Sequence, residues 1–169
     1  MKLSSLEAVF RALNDVQARY LVVGGLAVIA HGYLRFTQDL DLVISLDDAN
    51  IRRALRALET LGYRPKVPVP ISQFADETTR ESWIRDKHML VFQLVSDQHP
   101  TVAIDVFVKE PFPFDEEWQS ASEHSVSPSA SARVVSLPTL LALKRTADRP
   151  HDRIDIEMLS RQNGLHFES

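Results

Sequence analysis

The sequence contains no cysteine, which excludes disulfides and thiolate metal sites and fits a reducing compartment. It has no apolar run approaching about eighteen residues, so no segment is expected to span a membrane. Its start, MKLSSLEAVFRALND, lacks the long uncharged apolar core and small-residue cleavage site of a secretory signal, and a cytoplasmic location is expected. An excess of positive charge is missing as well. With 19 Lys and Arg against 23 Asp and Glu, the formal net charge is -4. The surface as a whole is therefore not the basic field of a protein that coats nucleic acid, and such a partner would be met locally. The 6 histidines include no His-x-x-x-His pair, so a histidine-based metal site has no support.

What remains is ordinary globular composition, 44% hydrophobic and 25% charged over 169 residues. That length suits one hydrophobic core, so a single compact domain is expected. Residues 1–110 are read as its core. Residues 111–169 are read as a loop followed by a C-terminal helical lobe of the same domain. No internal repeat is evident, and the brief SVSPSASA is the sole low-complexity stretch.

Leu3, Leu6, Val9, Phe10, Leu13 and Val16 recur at three- and four-residue steps, which predicts an amphipathic first helix. A short apolar strand, YLVV, then stops at Gly24-Gly25, and residues 26–31 suit a buried helix ending near Gly32. DLDLVIS alternates strictly, placing Asp39, Asp41 and Val43 on one face of a strand and Leu40, Leu42 and Ile44 on the other. A helix over residues 49–61 follows the Asp47-Asp48 cap region. Pro65, Pro68 and Pro70 next enforce an extended connection, and residues 75–85 read as a short helix. Two β-rich runs separated by SDQHP predict a hairpin in which Asp105 faces away from Val102, Ile104 and Val106. Residues 111–131, rich in Pro, Ser and acidic residues, read as a loop anchored by Trp118, and two helices follow around Pro150.

Three features bear on chemistry. Transfer of phosphoryl or nucleotidyl groups needs divalent cations to neutralise a polyphosphate and oriented donors to hold it in line. Asp39 and Asp41, at i and i+2 on one strand, project side by side and would share metal ions roughly 4 Å apart. Magnesium or manganese suits such hard oxygen ligands. Two like charges this close make most sense with a cation between them. Gly24 and Gly25, between a strand and a helix, let a ligand approach the backbone and present free N–H groups to phosphate. Asp105, flanked by apolar residues in AIDVF, is a candidate third carboxylate for metal binding or for deprotonating an acceptor. Each feature alone has a plain reading as an exposed strand face or a turn; their order along the chain is what unites them.

The segment VVGGLAVIAHGYLRFTQDLDLVI resembles the signature of the polymerase β-like nucleotidyltransferase superfamily. In particular it resembles the small bacterial proteins related to the AbiEii/AbiGii abortive-infection toxins. The positions that carry the resemblance are Gly24, Gly25, His31, Gly32, Arg35, Thr37, Asp39 and Asp41. ESWIRDKHMLVFQL, TVAIDVFV and LLALKRTADRPHDRIDIEML support it.

The resemblance implies an α/β (α+β) nucleotidyltransferase fold, with a mixed sheet, helices mainly on one face and a C-terminal helical pair. It implies Mg²⁺-dependent transfer of a nucleoside monophosphate from a nucleoside triphosphate to an acceptor hydroxyl on RNA, tRNA or protein. A toxin role with an antitoxin partner comes from the resemblance alone. A small-molecule acceptor, or a catalytically silent nucleotide-binding module, are the alternatives. Lys144, Arg149 and Asp152 would belong to the nucleotide site with Asp155 beside them, and Arg35 and Thr37 would position a phosphate or close the turn. Many members of the superfamily carry serine after the first glycine. Here Gly25 stands in that place and leaves only backbone donors.

Overall fold

The structure is a computed structural model that describes residues 1–165. Helix α1 (Leu3–Asp15) buries Leu6, Val9, Phe10 and Leu13, the stripe that the three- and four-residue spacing predicts. It leads to strand β1 (Tyr20–Val22), helix α2 (Gly24–Ala30) and strand β2 (Asp39–Ile44). Helix α3 (Asp48–Thr60) is capped by Asp47, whose carboxylate accepts from the Asn50 N–H at 2.8 Å. Asn50 is itself fully buried: its amide donates to the carbonyls of Arg19 and Ser45, tying the cap to β1 and β2. Beyond α3 come β3 (Arg64–Pro65), a 3-10 turn (Ile71–Ala75), α4 (Glu77–Lys87), and the expected hairpin of β4 (Val91–Val95) and β5 (Ala103–Phe107).

Residues 111–131 depart from the loop expected of them. They hold helix α5 (Phe114–Ser120), strand β6 (Ser122–Ser127) and the start of strand β7 (Ala130–Val134). The reason lies in where the strands sit. β6 is the edge strand, and its SEHSVS buries no residue fully, so hydrophobic alternation has nothing to report. The buried face comes from small residues, Ala130 and Ala132, with Val134. The anchor also differs: Phe114 is buried, whereas Trp118 is half-buried under the Arg133 guanidinium, 4.3 Å from its ring centroid. Helices α6 (Leu137–Ala147) and α7 (Pro150–Gln162) are the expected C-terminal pair. Residues 166–169 of the anticipated lobe lie outside the described residues.

The strands form one mixed seven-stranded sheet in the order β3-β4-β5-β2-β1-β7-β6. β2 runs parallel to β5 and antiparallel to β1, and β1 runs parallel to β7. Register assigns the faces. Tyr20 pairs with Ile44, Leu42 with Val106, and Val106 with Phe92, so these residues share one side. Phe10 of α1 stacks on Tyr20 and Trp83 of α4 stacks on Phe92, which puts α1 and α4 on that side, with α3 packed against α1. The opposite side carries Asp41, Asp105 and Gln93, again in register. There α2 packs against β2 and α6. Along the strip across β2, β5 and β4, Asp39, Asp41, Asp105 and Gln93 are half-buried.

Candidate active site

Asp41 on β2 and Asp105 on β5 are direct partners in the parallel pair, and Asp39 lies two residues before Asp41 on the same face. The sheet's register therefore gathers three carboxylates from positions up to sixty-six residues apart. Burial pushes Asp41 up to about 7 from an ordinary 3.8, and the charges of Asp105 and Asp39 add to the rise, while the Gly25 amide and the Lys144 ammonium oppose it. Burial also raises Asp105, against the pull of a hydrogen bond from Gln93.

The glycine pair closes on these acids. Gly24 adopts φ +62°, and a Cβ there would stand 2.0 Å from Asp41 Oδ2. No side chain fits, so the backbone itself lies against the carboxylate. A Cβ on Gly25 would meet Thr37 Oγ1 at 2.3 Å and Arg35 Nη2 at 3.0 Å. That contact accounts for the absence of serine at position 25: Thr37 and Arg35 fill the space its side chain would need. The Thr37 hydroxyl faces the Asp39 carbonyl at 3.4 Å, bracing the entry to β2.

A third group stands on α6 and α7. Lys144 is buried, with Nζ 2.8 Å from Asp152 Oδ1 and 2.7 Å from Asp155 Oδ2. Asp155 also meets Arg35 Nε at 2.9 Å, which links the α2–β2 strap to α7. Asp152 accepts the Arg149 N–H at 3.2 Å, capping α7. Asp152 and Asp155 thus stand behind Lys144 and hold its ammonium, whose charge reaches Asp41. The Arg149 side chain is exposed and contributes its backbone to the cap.

Two residues that sequence reasoning overlooked complete the strip. Gln93 on β4 donates from Nε2 to Asp105 Oδ1 at 2.8 Å, and Lys66 Nζ donates to Gln93 Oε1 at 2.7 Å. A polar residue inside an otherwise apolar strand, VFQLV, was the available signal. Its partner is visible only in the register.

Among the described residues no three acidic or histidine side chains converge into a ready metal cage. Magnesium does not require one. It keeps several waters and takes one or two carboxylates together with substrate phosphate oxygens. The crowded Asp39 and Asp41, with the backbone drawn against Asp41 at Gly24, fit such an ion. No helix among the described residues is long and apolar enough to cross a membrane.

Solved structures share this fold. A lincosamide antibiotic adenylyltransferase, LnuA, bound to lincomycin, superposes with a TM-score of 0.62 at 16% identity, over 93% of this chain and 95% of its own. ANT(2″)-Ia in complex with adenylyl-2″-tobramycin gives 0.60 at 16%, over 94% and 87%. A protein from Thermotoga maritima described as a nucleotidyltransferase gives 0.55 at 13%, over 97% and 93%. At these identities the likeness is one of fold. A comparison with curated proteins finds no match. The family is decided by the sequence match itself: residues 8–169 match the nucleotidyl transferase AbiEii toxin family of type IV toxin–antitoxin systems, and the chain belongs to that family.

Proposed function

We propose that the chain transfers a nucleoside monophosphate from a nucleoside triphosphate to an acceptor hydroxyl, using Asp39, Asp41 and Asp105. The observation that carries this reading is the in-register pair Asp41 and Asp105, set beside a glycine whose missing side chain leaves backbone against Asp41 Oδ2. Like charges at such positions are held there by the fold and invite a cation. Asp39 and Asp41 would hold Mg²⁺ or Mn²⁺, which when bound neutralises the triphosphate and stabilises the attacking and leaving oxygens.

Gly24 and Gly25 offer backbone N–H groups to the phosphates, and Lys144, oriented by Asp152 and Asp155, offers a fixed ammonium. Arg35 and Thr37 set the strap that enters β2, and the Arg149 backbone closes the α7 cap. Asp105 has one oxygen engaged by Gln93 and one left for the acceptor's proton. In the transfer, the acceptor oxygen bonds to the α-phosphorus. The bond from that phosphorus to the bridging oxygen breaks, and pyrophosphate leaves with the electron pair. The acceptor's proton passes to Asp105 and on to water.

The acceptor in this reading is RNA, tRNA or a protein, and the protein acts as the toxin of a toxin–antitoxin pair. Family membership supports the toxin role. Incubation with each labelled nucleoside triphosphate, Mg²⁺ and a cell extract separated into RNA, protein and small molecules tests the whole reading. Label should enter one fraction and vanish with Asp39→Ala. Entry into the small-molecule fraction would instead match the antibiotic-directed reaction of LnuA. No transfer from any donor to any fraction would overturn the enzymatic reading. Induced expression in a host without the antitoxin should arrest growth, and normal growth would remove the toxin role.

A further inference from the structure

We propose that Gln93 and Lys66 form the acceptor-side arm of this site, with Gln93 positioning Asp105 and Lys66 meeting an anionic group, of the phosphate class, on the incoming acceptor. The inference rests on the nucleotidyl-transfer reading and extends it to the end of the reaction that reading leaves unspecified.

Hydrogen-bond capacity dictates the first half. An ammonium can only donate and an ionised carboxylate can only accept, so neither can exchange its role. Gln93 stands between the two with both functions. Lys66 Nζ donates to Oε1 at 2.7 Å, which turns the Gln93 amide so that Nε2 donates to Asp105 Oδ1 at 2.8 Å. The arrangement has one consistent orientation. It pins one oxygen of Asp105 and leaves the other to the site.

Topology dictates the second half. The strand order β3-β4-β5-β2-β1 sets the acids of β2 and β5 between two flanks. On one flank stand the Gly24-Gly25 turn after β1 and Lys144 on α6, the groups suited to a triphosphate. On the other stand Gln93 on β4 and Lys66 just after β3. Nucleotidyl transfer is an in-line displacement, so the attacking oxygen must come from the side opposite the leaving pyrophosphate. With the triphosphate toward β1, the acceptor enters over β4 and β3.

Lys66 is placed to meet it. Its backbone N–H donates to the Gln93 carbonyl at 2.9 Å, Pro65 and Pro68 flank it closely in the chain, and a Val69 N–H to Val67 O bond of 2.8 Å tightens the strap. The side chain is exposed and spends one of its three donors on Gln93, leaving two for a ligand. A strap held in this way presents a cation at little entropic cost, and a phosphate adjoining the attacking hydroxyl is the natural complement.

The test separates this arm from the donor site on the full-length protein. Binding of a non-hydrolysable nucleoside triphosphate with Mg²⁺ is measured by calorimetry. Binding of a single-stranded RNA oligomer with a free 3′-hydroxyl, and separately of a nucleoside monophosphate, is then measured with the analogue saturating. Transfer kinetics follow on whichever probe accepts label, and melting curves confirm folding. Lys66→Ala should weaken the bound acceptor probe about five- to tenfold, Lys66→Arg should restore it, and both should leave the analogue's affinity within about twofold. Gln93→Glu keeps a partner for Lys66 but opposes Asp105 with a like charge. It should lower kcat at least tenfold, and an unchanged kcat would overturn the positioning role of Gln93.

Failure of wild type to bind the analogue would count against the donor-site reading itself. Analogue bound normally with neither phosphate probe bound, or with Lys66→Ala indistinguishable from wild type, would overturn the arm alone. An equal loss of analogue affinity in Lys66→Ala would move Lys66 to the donor side and overturn it as well.

Discussion

Two clusters of charge lie on the same face of the sheet, and they are built on opposite principles. On β2 and β5, Asp39, Asp41 and Asp105 crowd like charges together, and the side-chain hydrogen bond they receive comes from one neutral amide, that of Gln93. At α6 and α7, Lys144 and, from the α2–β2 strap, Arg35 meet Asp152 and Asp155 within 3 Å, with Lys144 and both aspartates buried. The second cluster sets each charge against an opposite one and joins the strap to the helices. The first is held together by strand pairing against its own repulsion. An electrostatic debt of that kind is characteristic of a site completed by something else, and a cation is the simplest candidate.

The largest effect expected from testing this contrast is in the closed cluster. Lys144→Met removes the ammonium between two buried carboxylates, leaving Asp155 with Arg35 and Asp152 with the Arg149 N–H, and should cost about 3–5 kcal/mol of stability in denaturant unfolding. Adding Asp152→Asn and Asp155→Asn should recover most of that loss without restoring transfer. If the single substitution is nearly neutral to folding, the ion pairs do not hold the helices and the contrast fails.

The open cluster should respond to pH. Asp41 is raised to about 7 from 3.8, so the folded chain holds a proton there that the unfolded chain has released. Its contribution to the metal-free protein is therefore greatest below about pH 4, falls as pH rises toward 7, and is flat above. Asp41→Asn should remove that slope and leave the metal-free protein more stable than wild type at pH 8, by roughly 2–4 kcal/mol. Mg²⁺ must displace the same proton, so its affinity should rise with pH up to about 7. Unfolding curves at pH 5 and pH 8, with and without Mg²⁺, decide the matter: identical slopes in wild type and Asp41→Asn would mean that Asp41 is not strained.

A smaller effect separates backbone conformation from site packing. Gly24 and Gly164 have nearly equal torsions, φ +62° and +65°, yet a Cβ at Gly24 meets Asp41 Oδ2 while at Gly164 nothing lies within 4 Å. Gly164→Ala should cost about 1 kcal/mol through conformation alone. Gly24→Ala should cost about 1–3 kcal/mol and also weaken Mg²⁺ binding, because Asp41 must move. Equal effects on melting temperature and metal affinity would show that the contact with Asp41 is immaterial.

These comparisons also mark how far the amino-acid order reaches. Strict alternation in DLDLVI and the spacing of Leu6, Val9, Phe10 and Leu13 report which face meets the core, because burial on one side of a strand or helix imposes that period. The hairpin around SDQHP and the two terminal helices were legible on the same ground, and the Gly-Gly to Asp-x-Asp segment carries the family. Residues 111–131 were not legible, since an edge strand and alanine-lined packing leave no hydrophobic period. Nor was the arm formed by Gln93 and Lys66. By itself the sequence determined the chemistry available: paired carboxylates and a side-chain-free turn, each set by local order. Only the tertiary structure decided that Asp105 lies opposite Asp41, that Lys144 is locked by Asp152 and Asp155, and that Gln93 bridges Lys66 to Asp105. Those facts depend on strand register and helix packing between distant segments, which local periodicity does not encode.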